Sequence, residues 1–216
     1  MAPKKAAAKQ PSASAKAAAA AALKDDVDPK DQATKDAGAA HLADLAAQPG
    51  WHALSSGVLF RITALGRVHT DQLSPTQYSE VSVQYTGRLI DGRKFDSTAD
   101  RGAALVCRPS QVIRGWGEAL TLMGEGDAWD IAVPWHQAYG KEGAAKEAAV
   151  PIPPYSALLF SLQLVTVTRP APGAVAKKGE RVPEPGRPAA EARAELAENV
   201  GKPYESLFVP PDAAAA

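Results

Sequence analysis

Two stretches of strict alternation, with one helical pattern between them, limit what this chain can fold into. Leu158, Phe160, Leu162 and Leu164 share one parity opposite Leu159, Ser161, Gln163 and Val165, and Val81, Val83 and Tyr85 oppose Ser82, Gln84 and Thr86. A side-chain period of two marks strands with one buried face. Ile131 and Val133 continue a parity from Trp129, and Val58–Thr63 alternates more loosely. Asp91-Gly92, between the RLI and RKF runs, predicts a hairpin turn, because that pair accepts the left-handed backbone such turns use. Ile113, Trp116, Leu120 and Met123 fall at helical spacing, with Gly124 where the helix is expected to stop. Gly115 and Gly117 inside it each cost about 1 kcal/mol relative to alanine, so packing must hold this helix. Several strands around one short helix, with no helices to carry parallel crossovers, predict an α+β domain built on an antiparallel sheet.

The flanks have a different texture. Residues 1–24 carry Lys4, Lys5, Lys9, Lys16 and Lys24, no acid and no aromatic residue. They offer too little apolar surface to offset the entropy of ordering, so disorder with transient helix is expected. Residues 37–47 predict a short amphipathic helix using Leu42 and Leu45, ended by Pro49-Gly50. Residues 170–190 are rich in Pro, Gly, Ala and charge, a linker composition, and a helical pattern follows at Ala189, Ala192 and Leu196. The expected division is a low-complexity tail and linker over 1–49, a domain over 50–169 and an accessory extension over 170–216.

Several chemistries are excluded. The 24 basic and 24 acidic residues leave no net field to draw the chain to nucleic acid or an anionic membrane. Five dispersed lysines make a weak phosphate-binding tail, so a nucleic-acid partner is not expected. No run of about 18 apolar residues spans a membrane. A single cysteine, Cys107, forms no internal disulfide and no metal cluster. His41, His52, His69 and His136 lack metal-binding spacing, and neither a phosphate-binding glycine loop nor a GxSxG elbow occurs. No metal and no cofactor are expected, so an enzyme here works mostly by binding and shape. The absence of a secretory signal and the lone cysteine predict a cytoplasmic protein, with the basic N-terminus leaving nucleus or organelle open.

The motifs then narrow the answer. VQYTGRLIDGRKFDST at 83–98, QVIRGWGEALTLMGEGD at 111–127, AYG at 138–140 and IPPYSALLFSLQLV at 152–165 resemble, in order and spacing, the FKBP family of peptidyl-prolyl isomerases. The resemblance covers about residues 57–168, and the AQPGWHALSSGVLFRI lead-in looks like the entry to the domain in macrophage-infectivity-potentiator-type members. It implies a half-barrel sheet wrapped around the short helix. It also implies an apolar pocket with Trp116 as floor, and Tyr85, Phe95, Val112, Ile113 and Phe160 as walls. Tyr139 would stand at the rim, Asp96 would place a carboxylate at one edge, Ile152 would close over the ligand, and Arg101 would fix the Asp96 and Tyr85 polar groups. Taken singly, each aromatic residue reads as ordinary core; joint occurrence at the family spacing favours the pocket. Leu105 and Cys107 stand where members commonly carry phenylalanine, which thins one wall and puts a thiol near the pocket.

The function implied is cis-trans isomerisation of X-Pro bonds in proteins, assisting folding, with Asp96, Tyr139 and Tyr85 closest to the chemistry. The partners implied are proline-containing peptides or unfolded proteins, and macrolides such as tacrolimus or rapamycin. The alternative is an FKBP-like binding module or chaperone of low turnover that recognises proline-containing clients.

Overall fold

The computed structural model describes residues 27–66, 72–144, 150–169, 186–200, 202 and 207. The lysine tail, the stretch 170–185 and part of the 141–151 loop lie outside these, and with them the readings placed on the tail and on most of the linker.

The antiparallel sheet follows from the alternations. Strands β1 (His52–Ala53), β2 (Leu59–Ala64), β4 (Val81–Leu89), β5 (Lys94–Ser97), β7 (Ala128–Val133) and β8 (Leu158–Val167) lie in the order β1-β2-β7-β8-β4-β5, and β6 (Leu105–Cys107) adds to β4. The longest ladder joins β4 to β8, with Tyr85 opposite Leu162 and Gly87 opposite Phe160. In β4 each residue of the Val81 parity is buried, and β8 buries Leu158, Phe160, Leu162 and Leu164 as expected. The hairpin turn stands at Asp91-Gly92: Gly92 has φ 86°, and the Asp91 carboxylate accepts the Arg93 N–H at 3.0 Å.

Among the described residues four α-helices accompany the sheet: α1 (Pro29–Ala46), α2 (Thr98–Arg101), α3 (Arg114–Leu122) and α4 (Ala189–Val200). The glycine-containing helix is α3, and its glycines have a reason. A β-carbon on Gly115 would sit 2.5 Å from Val133 Cγ1, and one on Gly117 would sit 2.7 Å from the Pro109 carbonyl oxygen. Bare backbone lets α3 press onto the sheet and the preceding turn, which offsets its poor propensity. The helix stops where expected, capped by an extended Met123 immediately before Gly124, but Gly124 is not at positive φ. Gly124 is instead a close-packing position, where a β-carbon would meet Gln72 at 3.0 Å and Ala189 at 3.3 Å.

The flanks differ from expectation. Helix α1 starts eight residues before the predicted point, with Pro29 in the first turn and Asp28 accepting the Lys30 N–H at 2.9 Å. It is not amphipathic through Leu42 and Leu45, since its one buried residue is Gly38. At the other end the chain is integrated rather than accessory. Strand β9 (Arg187–Pro188) pairs with β3 (Leu73–Ser74), and α4 buries Ala189, Ala192 and Leu196, with Leu207 buried beyond it. No helix among the described residues is long and apolar enough to cross a membrane.

Candidate functional site

Strand parity assembles the site. Tyr85 on β4, Phe95 on β5 and Phe160 on β8 all face the side of the sheet against which α3 packs, and α3 lays Trp116 beneath them. The Trp116 indole meets Tyr85 edge-on (centroids 4.7 Å, 80°) and Phe160 likewise (5.0 Å, 81°), while Phe95 meets Phe160 at 5.6 Å and 90°. Edge-to-face contacts of this kind keep rings upright, so they enclose space rather than stack it away. The hollow so formed has about 260 Å³ and is lined by Tyr85, Phe95, Asp96, Leu105, Gln111, Val112, Ile113, Trp116, Tyr139 and Phe160. Gln111, absent from the expected set, thus joins it.

Gly87 is what makes room for the walls. A β-carbon there would lie 2.6 Å and 2.7 Å from Phe95 ring atoms and 2.9 Å from a Phe160 ring atom. In the sequence this glycine stands out only as part of the YTG motif, because the need for it arises from rings brought in by two other strands.

The polar edge is a chain of three groups. The Tyr85 hydroxyl donates to Asp96 Oδ2 and accepts from Arg101 Nη2 at 2.6 Å, while Arg101 Nη1 lies 3.4 Å from Asp96 Oδ1. The short helix α2 delivers Arg101: Ser97 caps it by accepting the Ala99 N–H at 3.2 Å, and Gly102 closes it at φ 67°. Thr98 pins α2 to β4, its hydroxyl accepting the Tyr85 N–H at 2.9 Å. Burial pushes the Tyr85 hydroxyl up to about 12, helped by its bond to Asp96. Burial, with the Asp96 charge second, raises Tyr139. Both hydroxyls therefore keep their protons at neutral pH and can donate. Tyr139 is 42% exposed at the mouth, and the Ile113 N–H, at the start of α3, has no acceptor among the described residues.

Two expected positions differ. Ile152 does not line the hollow; it is buried in the core, its backbone bridging to Ala144. Cys107 does not line it either: it shares the core-facing side of β6 with Leu105 but lies two residues further along, opposite Val81 and past the edge of the hollow. Burial pushes the Cys107 thiol up to about 11, so almost none is thiolate near neutrality. The native protein is expected to react with a thiol reagent at pH 8 far more slowly than the urea-unfolded chain; equal rates would contradict this placement.

Volume alone does not choose the site. A hollow of about 450 Å³ lies between α1 and the β4–β5 hairpin, with Lys30, Ala37, Ile90, Arg93 and Pro153 among its lining, but it contains no aromatic ring. Among the described residues no group of three or more His, Cys, Asp or Glu could hold a metal.

Comparison with known proteins decides the family. A family model described as FKBP-type peptidyl-prolyl cis-trans isomerase matches residues 72–165. A macrophage infectivity potentiator from Trypanosoma cruzi is 39% identical over 162 residues, covering 75% of this chain and 78% of that protein. The chain belongs to the FKBP-type peptidyl-prolyl cis-trans isomerases. An FKBP-type 22 kDa isomerase of Escherichia coli K12 is 38% identical over 136 residues, covering 63% of this chain and 62% of that protein. The crystal structure of an isomerase from Pseudomonas syringae matches with TM-score 0.57 at 32% identity, covering 66% of this chain and 99% of that one. The α+β architecture and the isomerase activity expected from the motifs are those of this family.

Proposed function

We propose that the hollow over Trp116 is where this isomerase turns X-Pro bonds, and that it prefers an apolar residue before the proline. The observation that carries the reading is the convergence of four aromatic rings with two free-standing donors, the Ile113 N–H and the Tyr139 hydroxyl, at one mouth. Rotation about the bond breaks amide resonance and meets a barrier of about 18–20 kcal/mol. The twisted amide has less charge separation than either planar form, so a dry aromatic wall favours it. Catalysis is then stronger binding of the twisted form, with no bond made and no proton removed. The Ile113 N–H would hold the substrate carbonyl and Tyr139 would supply a second donor. Asp96, bound to Tyr85 and Arg101, orients the polar edge and is not needed as a base. Macrolides such as tacrolimus or rapamycin are proposed ligands of the same cup, and their binding should alter Trp116 emission.

The full chain is expected to accelerate isomerisation of a Leu-Pro peptide, and Tyr139→Phe to lower kcat/KM by about three- to tenfold through loss of one hydrogen bond. A wild-type rate equal to the uncatalysed one would sink the reading. Retained client binding beside negligible turnover would favour the binding-module alternative.

A further inference from the structure

The rim of the hollow is braced from outside by the N-terminal helix. Gly38 brings α1 against the loop after residue 152: a β-carbon on it would stand 3.1 Å from Ala157 Cβ. One turn earlier, the Lys35 Nζ lies over two rings at once, 5.4 Å from the Trp135 centroid and 5.6 Å from the Tyr155 centroid. Both fall within the range of about 6 Å at which a ring face attracts a cation. The two rings also pack on each other, 4.9 Å apart at 62°. Tyr155 is buried at φ 56°, and among the described residues it is the one non-glycine at positive φ. An aromatic residue adopts that conformation only where its surroundings hold it.

Backbone bonds lead from these rings to the site. The Trp135 carbonyl accepts the Ala138 N–H at 3.1 Å and the Gly140 N–H at 2.9 Å, and the Gly140 carbonyl accepts the Tyr155 N–H at 3.0 Å. Tyr139 sits between the bonded residues. Its own hydroxyl has no hydrogen bond among the described residues, so the main chain on either side sets where it stands.

We propose that Lys35 is a positioning residue of this isomerase: its ammonium clamps the Trp135–Tyr155 ring pair and thereby fixes the Tyr139 hydroxyl at the mouth of the hollow. This rests on the reading of the hollow as the substrate site. Lys35 touches no substrate; its effect passes through the rings and the 135–140 turn.

The test is a cycle on the full chain, with kcat/KM for a Leu-Pro peptide measured for wild type, Lys35→Ala, Lys35→Arg, Tyr139→Phe and the Lys35→Ala, Tyr139→Phe double variant. Lys35→Ala is expected to lose about threefold to fivefold, the rate equivalent of one partly exposed cation–ring contact. Lys35→Arg should restore the rate, since a guanidinium also sits over ring faces. In the Tyr139→Phe background Lys35→Ala should produce no further loss, because the group it positions is gone. Wild-type kcat/KM in Lys35→Ala, an equal loss in Lys35→Arg, or full additivity in the double variant would overturn the proposal. An inactive wild type would instead sink the site reading on which it stands. Lys35→Met, which keeps the apolar stem, replaces the alanine variant should that fail to fold.

Discussion

Alanine at position 87 should nearly abolish turnover while leaving a folded protein. The added methyl would lie 2.6–2.9 Å from Phe95 and Phe160 ring atoms, against an ordinary carbon contact of about 3.5–4.0 Å. One or both rings must therefore retreat by about 1 Å. These rings are two walls of the hollow and meet edge-on, so neither can move without narrowing the cup or tilting away from Trp116. Displacements of that size around a reacting group can lower rates by about a hundredfold. The stability loss should be smaller, about 1–3 kcal/mol for overpacking. Gly87 lies within the extended strand β4 and is not at positive φ, so backbone strain does not contribute. Arg88→Ala, with its side chain on the exposed face, is the control and should leave kcat/KM unchanged. A Gly87→Ala protein with wild-type kcat/KM would show that the rings have room to give, and the tight-cup picture would be wrong.

What the sequence made legible was whatever repeats locally. Alternation marked β4, β7 and β8, the Asp91-Gly92 pair marked the hairpin, and helical spacing marked α3. The pocket residues were found through the motifs rather than through periodicity, because Trp116 and Phe160 follow the same patterns as ordinary core. Two helices carry start signals in the sequence that lie outside the helical spacings. Asp28-Pro29 opens α1, and Ser97 with Gly102 brackets α2, the turn that delivers Arg101. The C-terminal segment was less accessible. Its Pro, Gly and charge read as linker, yet Arg187 and Arg193 are engaged by residues far away in sequence: Thr121, Gln72 and Asp127. No local period encodes a contact across such separations. Ile152 differs for another reason: it is buried in the core beside a local backbone bridge to Ala144, which the motif that carries it does not reveal.

The Arg193–Asp127 contact predicts a large stability effect. Asp127 is fully buried, and its carboxylate accepts the Gly66 N–H at 2.7 Å and the Gly124 N–H at 2.8 Å. Arg193 of α4 brings a guanidinium nitrogen to 3.7 Å, and its side chain is only 12% exposed. Asp127→Ala strips an acceptor from two buried donors and leaves a cation in a nearly closed space. The guanidinium keeps its 2.9 Å bond to Gln72, which limits the damage. Each orphaned donor costs about 1–3 kcal/mol, and breaking a buried pair typically costs about 3–5 kcal/mol, so a loss of about 3–5 kcal/mol is expected in urea unfolding. A typical domain has about 5–15 kcal/mol in total, so the variant should stand near the limit of folding. Asp100→Ala offers the contrast. Its 2.6 Å pair with Lys94 is mostly in water, and removing it should cost less than about 1 kcal/mol. Asp127→Asn, which retains one acceptor oxygen, should fall between the two. Were Asp127→Ala to unfold at the wild-type urea midpoint, α4 would be as dispensable as its linker-like approach suggests, and the carboxylate would not be what ties it to the sheet.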